Sequence, residues 1–242
     1  MKSLKKGMGV TRKFPSQTDA LGVSWYHNWM PAPEADLEAE FVPMIWGKNN
    51  VNPEIIAYLK ANKFPALLAF NEPDSKGEAN MTAEEAVSLW PKLMETGLRL
   101  GSPAPREGAG EGQWLHEFMR AVAAANLRVD FICLHWHEEI NKPDAHEKLM
   151  DFLEQVHKLY GKPIWLTDFG AWNKSQEFTL QQVSEYMTKA LPILESLPFV
   201  ERYAWFASYT RFGMWPDWHI SSLLDFSGKL TPLGIQYRDF SP

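Results

Sequence analysis

With 242 residues, of which 45% are hydrophobic, 22% charged and 13% aromatic, the chain is too long for a mini-protein and too apolar for a disordered segment. Its 24 basic and 30 acidic side chains give a net charge of −6, which offers nothing to a polyanion such as nucleic acid. A single cysteine, Cys133, excludes an internal disulfide framework, and no apolar run approaches the roughly 20 residues needed to cross a bilayer.

Short apolar runs bounded by turn signals recur along the chain, at 7–10, 22–29, 41–46, 66–70, 100–104, 129–136, 163–169 and 200–207. Helical patterns fill most of the gaps, at 52–61, 82–98, 113–126, 145–160 and 179–197. Thr82 followed by Glu85 has the form of a capping box, and Asn52-Pro53 and Thr179 are further helix starts. Strands alternating with helices pair in parallel through crossover connections, and eight such units match the length of a compact (β/α)₈ barrel, about 250 residues. No linker or composition break divides the series, so residues 1–242 are expected to form one catalytic domain.

Barrel enzymes assemble their sites at the C-terminal ends of the strands. There this sequence places Trp25-Tyr26-His27-Asn28-Trp29, Trp46, Asn71-Glu72-Pro73, His135-Trp136-His137, Thr167-Asp168 and Trp205-Phe206. Glu72 and Asp168 end the fourth and seventh strands, three strands apart, so they can face each other across the mouth. Glycosidic bond cleavage uses such a pair, about 5–5.5 Å apart for retention and about 6.5–9.5 Å for inversion. The apolar neighbours Phe70 and Pro73 are expected to raise the pKa of Glu72, as an acid catalyst requires. Asp74 is read as a loop cap.

Eleven Trp residues exceed what core packing usually asks for, and aromatic faces stack on sugar rings, which makes carbohydrate the first substrate class to consider. Trp25, Tyr26, Trp46, Trp136 and Trp205 are expected to line the mouth, and Trp172, Trp215 and Trp218 fall where outer subsites would lie. Trp165 and Trp90 are assigned to packing. His135 is placed to bond a substrate hydroxyl or steer a carboxylate. His135 and His137 alternate, so both can point one way, but a metal needs more ligands and His27 is the nearest candidate histidine; no metal and no cofactor is expected. Glycine-rich phosphate loops and a serine nucleophile elbow are absent from the sequence.

The segments Phe41-Val42-Pro43-Met44-Ile45-Trp46-Gly47, Leu68-Ala69-Phe70-Asn71-Glu72-Pro73-Asp74, Leu100-Gly101-Ser102-Pro103-Ala104, Val129 to Trp136, Lys162 to Phe169 and Arg202 to Phe206 together resemble glycoside hydrolase family 128 over nearly the whole chain. The resemblance implies a β-1,3-glucanase on a compact barrel, acting internally by retaining double displacement on laminarin-like or curdlan-like chains. It also implies that Glu72 is the acid/base, that Asn71 contacts the 2-hydroxyl of the sugar being cleaved, and that the strand-seven residue is the nucleophile. The chain departs from that family twice: Thr167-Asp168-Phe169 stands where the family has Thr-Glu-Phe, and His137 stands where it often has Tyr. The shorter Asp keeps open a second reading, a β-glucan-binding barrel with little or no hydrolysis. A monomer that binds β-1,3-glucan or laminari-oligosaccharide, and neither nucleic acid nor membrane, is expected. The family suggests an extracellular location, although Met1 to Lys6 is basic and lacks the apolar stretch of a secretion signal.

Overall fold

The computed structural model describes residues 2–11, 14–137, 140, 142–171, 179–210 and 220–242. Among the described residues there are nine strands and six helices, which alternate in chain order from the fourth strand onward. The strands are β1 (Lys6–Gly9), β2 (Trp25–His27), β3 (Glu40–Phe41), β4 (Met44–Ile45), β5 (Ala66–Asn71), β6 (Arg99–Ala104), β7 (Ile132–Trp136), β8 (Ile164–Phe169) and β9 (Val200–Trp205). The helices are α1 (Pro53–Ala61), α2 (Ala83–Met94), α3 (Trp114–Ala124), α4 (Ala145–Tyr160), α5 (Leu180–Ser196) and α6 (Pro232–Asp239).

All strand pairs are parallel, in the orders β3-β2-β1-β9-β8-β7 and β4-β5-β6. A parallel bridge between Gly101 and Phe131 joins β6 to the approach of β7. On the other side, the run expected at 41–46 is split. Residues 40–41 pair with β2 and 44–45 with β5, with Pro43 between them unable to donate to a ladder. First and last strands pair, so the sheet closes into the expected barrel.

Helix starts follow the local chemistry. Asn52 accepts the Ile55 N–H, and Thr82 and Thr179 form reciprocal capping boxes with Glu85 and Gln182. α6 escaped the periodicity argument; its signal is Thr231, which caps Gly234, followed by Pro232 at the first helical position. It closes against β1, where the buried Lys6 ammonium donates to the Tyr237, Arg238 and Phe240 carbonyls and the Tyr237 hydroxyl donates to the Gly7 carbonyl. Burial pushes the Lys6 pKa down to about 8.

Two cores follow from strand alternation. Leu67, Ala69, Leu134 and Leu166 face out against the helices, whereas Ala66, Leu68, Phe131, Cys133, Trp165 and Ala204 fill the barrel interior. At the N-terminal floor Phe131 stacks on Trp165 at 4.2 Å, and the Arg202 guanidinium lies 4.5 Å from the Trp165 ring. Trp25 belongs to this floor. Its ring occupies the space beside Gly7, where a Cβ would come within 2.3 Å of it, and its indole N–H donates to the Lys5 carbonyl. The expectation that Trp25 lines the mouth is therefore corrected: it faces inward, but at the wrong depth. Trp90 packs on Phe118 among the helices, as assigned.

Candidate active site

Asn71 and Asp168 owe their aim to an irregular strand. On β5 the register passes from Ala69 opposite Pro103 to Asn71 opposite Ala104, so Phe70 is an extra residue. On β8 it passes from Leu166 opposite Leu134 to Asp168 opposite His135, which makes Thr167 the extra one. Each bulge breaks the period of two just before the functional side chain. Trp165 faces inward, so strict alternation would send Asp168 outward; the bulge at Thr167 turns it into the barrel mouth. Phe70 and Glu72 lie in the left-handed region at φ of 46° and 41°, a conformation that costs a non-glycine residue about 1–3 kcal/mol and that clusters at functional sites.

The Asp168 carboxylate is buried among three ring nitrogens, of which only that of Trp29 makes a hydrogen bond to it. Trp29 Nε1 donates to Oδ2 at 3.0 Å, His27 Nε2 lies 3.2 Å from Oδ1, and His135 Nε2 lies 3.4 Å from Oδ2. His135 Nδ1 meets Glu72 Oε1 at 3.1 Å, so one imidazole touches both carboxylates. Arg106 Nη1 stands 3.7 Å from Glu72 Oε2. Asp74 accepts the Arg106 and Glu107 N–H groups at 2.8 Å each, which positions that arginine and fits the loop-cap reading. Asn71 donates its amide N–H to Glu78 Oε2 at 3.0 Å, while its buried Oδ1 has no partner among the described residues.

Burial by itself pushes Glu72 up. The hydrogen bond from His135 and the charges of His135 and Arg106 outweigh it, so the carboxyl sits below its ordinary range. This corrects the expectation of a raised value: the Phe70 ring points away into the outer core against Trp90, and cationic groups from other strands surround the carboxylate instead. Asp168 is likewise pushed up by burial and brought below the usual range by the imidazoles of His27 and His135. His135 is disfavoured as a cation by burial, but Asp168 and Glu72 raise it. His137 is driven down to about 3 by burial and by the His135 charge.

These shifts set the pH dependence of the ligand-free fold. The raised His135 contributes stability in full below its unfolded value, about 6.5, and loses it as pH rises through the folded value. His137 stays neutral in the fold while the unfolded chain takes up a proton below about pH 6.5, so it costs stability as pH falls. The contributions of Asp168 and Glu72 are present above about pH 4 and lost as pH falls through their folded values. The urea midpoint is therefore expected to peak near pH 6.5, and His135→Gln to flatten the alkaline limb. A midpoint that stays level from about pH 6.5 to 7.5 in the unaltered chain, below the range where Lys6 titrates, would contradict the His135 assignment.

Of the aromatic residues expected at the mouth, Trp46 stands there, partly exposed at the end of β4 and packed against the inner cluster. Tyr26 faces out from β2, its hydroxyl on the Ala35 carbonyl and its ring on Phe41. Trp136 faces out against Phe152 of α4, because its neighbours His135 and His137 take the inward positions. Trp205 is fully buried in the outer core, its N–H on the Ser221 carbonyl. These three are corrections with one cause: adjacent strand residues cannot both face the mouth. The sequence argument placed Trp29 and Phe206 at strand ends but did not give them to the mouth; they stand three positions beyond Tyr26 and one beyond Trp205. Their rings meet edge to face at 5.6 Å, and Phe206 also contacts His137. Alternation from Trp25 through His27 is the signal that could have found Trp29. Trp172, Trp215 and Trp218 lie outside the described residues.

Trp29 reaches Asp168 only because position 9 lacks a side chain. A Cβ there would lie 2.8 Å from Trp29 Cη2 and 3.3 Å from Asp168 Oδ1. Gly9→Ala is expected to displace the indole, at a cost of about 1–3 kcal/mol of overpacking, read as a lower urea midpoint. Glucan turnover should fall with it.

A parallel barrel with two inward carboxylates at strand ends, an asparagine beside one of them and aromatic walls is the constellation of a glycoside hydrolase. Comparison with known proteins narrows this class. The family model described as glycosyl hydrolase catalytic core matches residues 9–237. A subgroup I endo-β-1,3-glucanase of glycoside hydrolase family 128 from Amycolatopsis mediterranei, solved with laminaritriose, is 35% identical, with a TM-score of 0.87 over 98% of this chain and 99% of that one. A subgroup III curdlan-specific exo-β-1,3-glucanase from Blastomyces gilchristii is 29% identical, with a TM-score of 0.78 over 99% of each chain. Alkali-sensitive linkage protein 1 of Schizosaccharomyces pombe is 32% identical over 225 residues, which are 89% of this chain but 40% of that longer protein. The chain belongs to glycoside hydrolase family 128. Among the described residues, no helix is long and apolar enough to cross a membrane.

Proposed function

We propose that this chain hydrolyses β-1,3-glucan of the laminarin or curdlan type, cutting within the chain and retaining anomeric configuration, with Glu72 as acid/base and Asp168 as nucleophile. The observation that carries the choice of this catalytic pair is the meeting of both strand-end carboxylates on the single imidazole of His135, whereas the retaining course rests on the family resemblance. Glu72 protonates the glycosidic oxygen while an Asp168 oxygen attacks the anomeric carbon. The leaving sugar departs and a glycosyl ester forms on Asp168. Glu72, now a base, then takes a proton from water, which attacks the same carbon and releases Asp168. In the ligand-free protein Glu72 holds its proton weakly and His135 strongly. A bound glucan that excludes water from the half-buried Glu72 favours its neutral form, so the His135 proton passes to the carboxyl where it is needed.

Asn71 holds the 2-hydroxyl through its unpartnered Oδ1, an orientation supported by the Glu78 carboxylate on its other end. His135 and His137 border the same cleavage point, and Trp46, Trp29 and Phe206 form the walls. Endo action is supported by the closer structural match to the subgroup I endo-glucanase than to the exo-acting subgroup III enzyme. Residues 1–242 act as one catalytic domain, monomeric, without a cofactor, on a polymer found outside cells, so the protein is placed there.

Reducing-end release from linear β-1,3-glucan, with cellulose and mannan in parallel, tests the reading. Internal products from the β-1,3-glucan alone are expected. Release from cellulose or mannan alone overturns the substrate. Tight binding of laminarihexaose with no product under any condition favours the glucan-binding barrel, the reading that the recessed Asp168 supports.

A further inference from the structure

The alternation of His135, on β7, and His137, just past its end, presents two imidazoles to the mouth, and the residue that completes a metal-ligand set is not another histidine but Glu72. One ligand atom from each of Glu72, His135 and His137 lies within 4.8 Å of the other two. The closest pair, His135 Nδ1 and Glu72 Oε1, is already 3.1 Å apart. Tetrahedral zinc with bonds of about 2.0–2.1 Å needs its donors about 3.3 Å from one another, so the pairs that include His137 have to close in by at most about 1.5 Å. Behind His135, its other nitrogen faces Asp168 Oδ2 at 3.4 Å. A carboxylate on the far nitrogen is the usual outer support of a metal-binding imidazole, since it fixes the tautomer and turns the near lone pair toward the metal. His27, by contrast, is committed to Asp168 and the Thr167 carbonyl.

We propose that Glu72, His135 and His137 form a site for a zinc-class divalent cation, whose occupancy reversibly switches off glycoside cleavage. Two nitrogens and one carboxylate oxygen suit zinc, and the fourth position opens toward the substrate groove, where water completes the shell. A metal on Glu72 occupies the oxygen that must otherwise carry the proton to the leaving group. The metal also stands where the cleaved sugar would sit, so zinc and glucan compete. This regulation rests on the role given to Glu72 above, whereas metal binding itself does not. It depends on the imidazole at position 137, where the family often has Tyr.

The test is calorimetric titration of the untagged, chelator-free full chain with zinc chloride alone, repeated with His137→Gln, Glu72→Gln and Asp168→Asn. One zinc per chain is expected. Loss of a direct ligand in the first two variants should weaken affinity by more than the ~10–100-fold typical of an outer-shell loss, which is the range expected for Asp168→Asn. Cobalt(II) should give the intense visible absorption of a tetrahedral site, absent in His137→Gln. Circular dichroism identifies any variant that fails to fold, and the remaining variants then decide. Binding that does not saturate at millimolar zinc, or that is equal in the wild-type chain and the folded variants, overturns the site. Zinc that binds yet leaves laminarin hydrolysis unchanged overturns the switch. A chain that hydrolyses no glucan but binds zinc at these residues fails the proposed function and keeps the site.

Discussion

Glu72→Gln is expected to lower turnover of laminarin by about 10²–10⁴-fold, the usual contribution of a positioned general acid. The substitution keeps size and hydrogen-bonding capacity, so the left-handed backbone at position 72 and the contact with His135 Nδ1 are disturbed little. What disappears is the group that carries the proton to the glycosidic oxygen. The measurement that isolates this role is a pair of substrates. With an aryl β-laminaribioside whose phenolate leaves without protonation, the first step should recover toward the wild-type rate, while the natural polymer stays slow. If Glu72 were only a structural anchor of the Pro73–Asn80 loop, both substrates would lose equally. An external nucleophile such as azide, which needs no base, should also rescue the second step.

The same residue shows how far sequence reasoning reaches. The barrel was legible because buried runs and capped amphipathic helices alternate at regular spacing, and the capping box at Thr82 and the helix start at Thr179 stand where the sequence places them. The break of the third run is visible in retrospect as Pro43. Glu72 and Asp168 were recognisable as carboxylates at strand ends, yet the aim of Asp168 depends on a bulge at Thr167, as that of Asn71 does on one at Phe70, and neither residue type announces a bulge. Aromatic assignments failed where neighbours on one strand were both given to the mouth. His135 inward forces Trp136 outward, and Ala204 inward leaves Trp205 for the outer core and Phe206 for the mouth. The depressed Glu72 pKa was out of reach altogether, because His135 and Arg106 come to it from elsewhere in the chain, 63 and 34 residues away.

Asp168→Glu is expected to raise kcat/KM on β-1,3-glucan by on the order of 10²-fold, at a cost in stability. The Asp168 side chain is only 4% exposed, against 13% for Glu72, and is drawn back by Trp29 Nε1 and His27 Nε2. An added methylene moves the carboxylate by about 1–1.5 Å, and displacement on that scale is worth about 10²-fold in rate when it restores attack geometry. The direction of movement follows from the surroundings: Gly9, Trp29 and His27 close the barrel side, and the groove is where space opens. The lengthened side chain gives up its contact with His27 and crowds Trp29, which should cost about 1–3 kcal/mol in the urea midpoint. Asp168→Asn supplies the control, since it keeps the size and removes the nucleophile; it should leave no measurable turnover. Proton NMR of the first-formed product fixes the anomer, and a β-product from both the wild-type chain and Asp168→Glu means that the two carboxylates act through the same double displacement. A slower Asp168→Glu chain would instead mean that the bulge at Thr167 already carries the backbone forward to compensate for the shorter side chain. Whichever variant is faster, an α-product from the wild-type chain would identify Asp168 as a base acting through water across a wider gap.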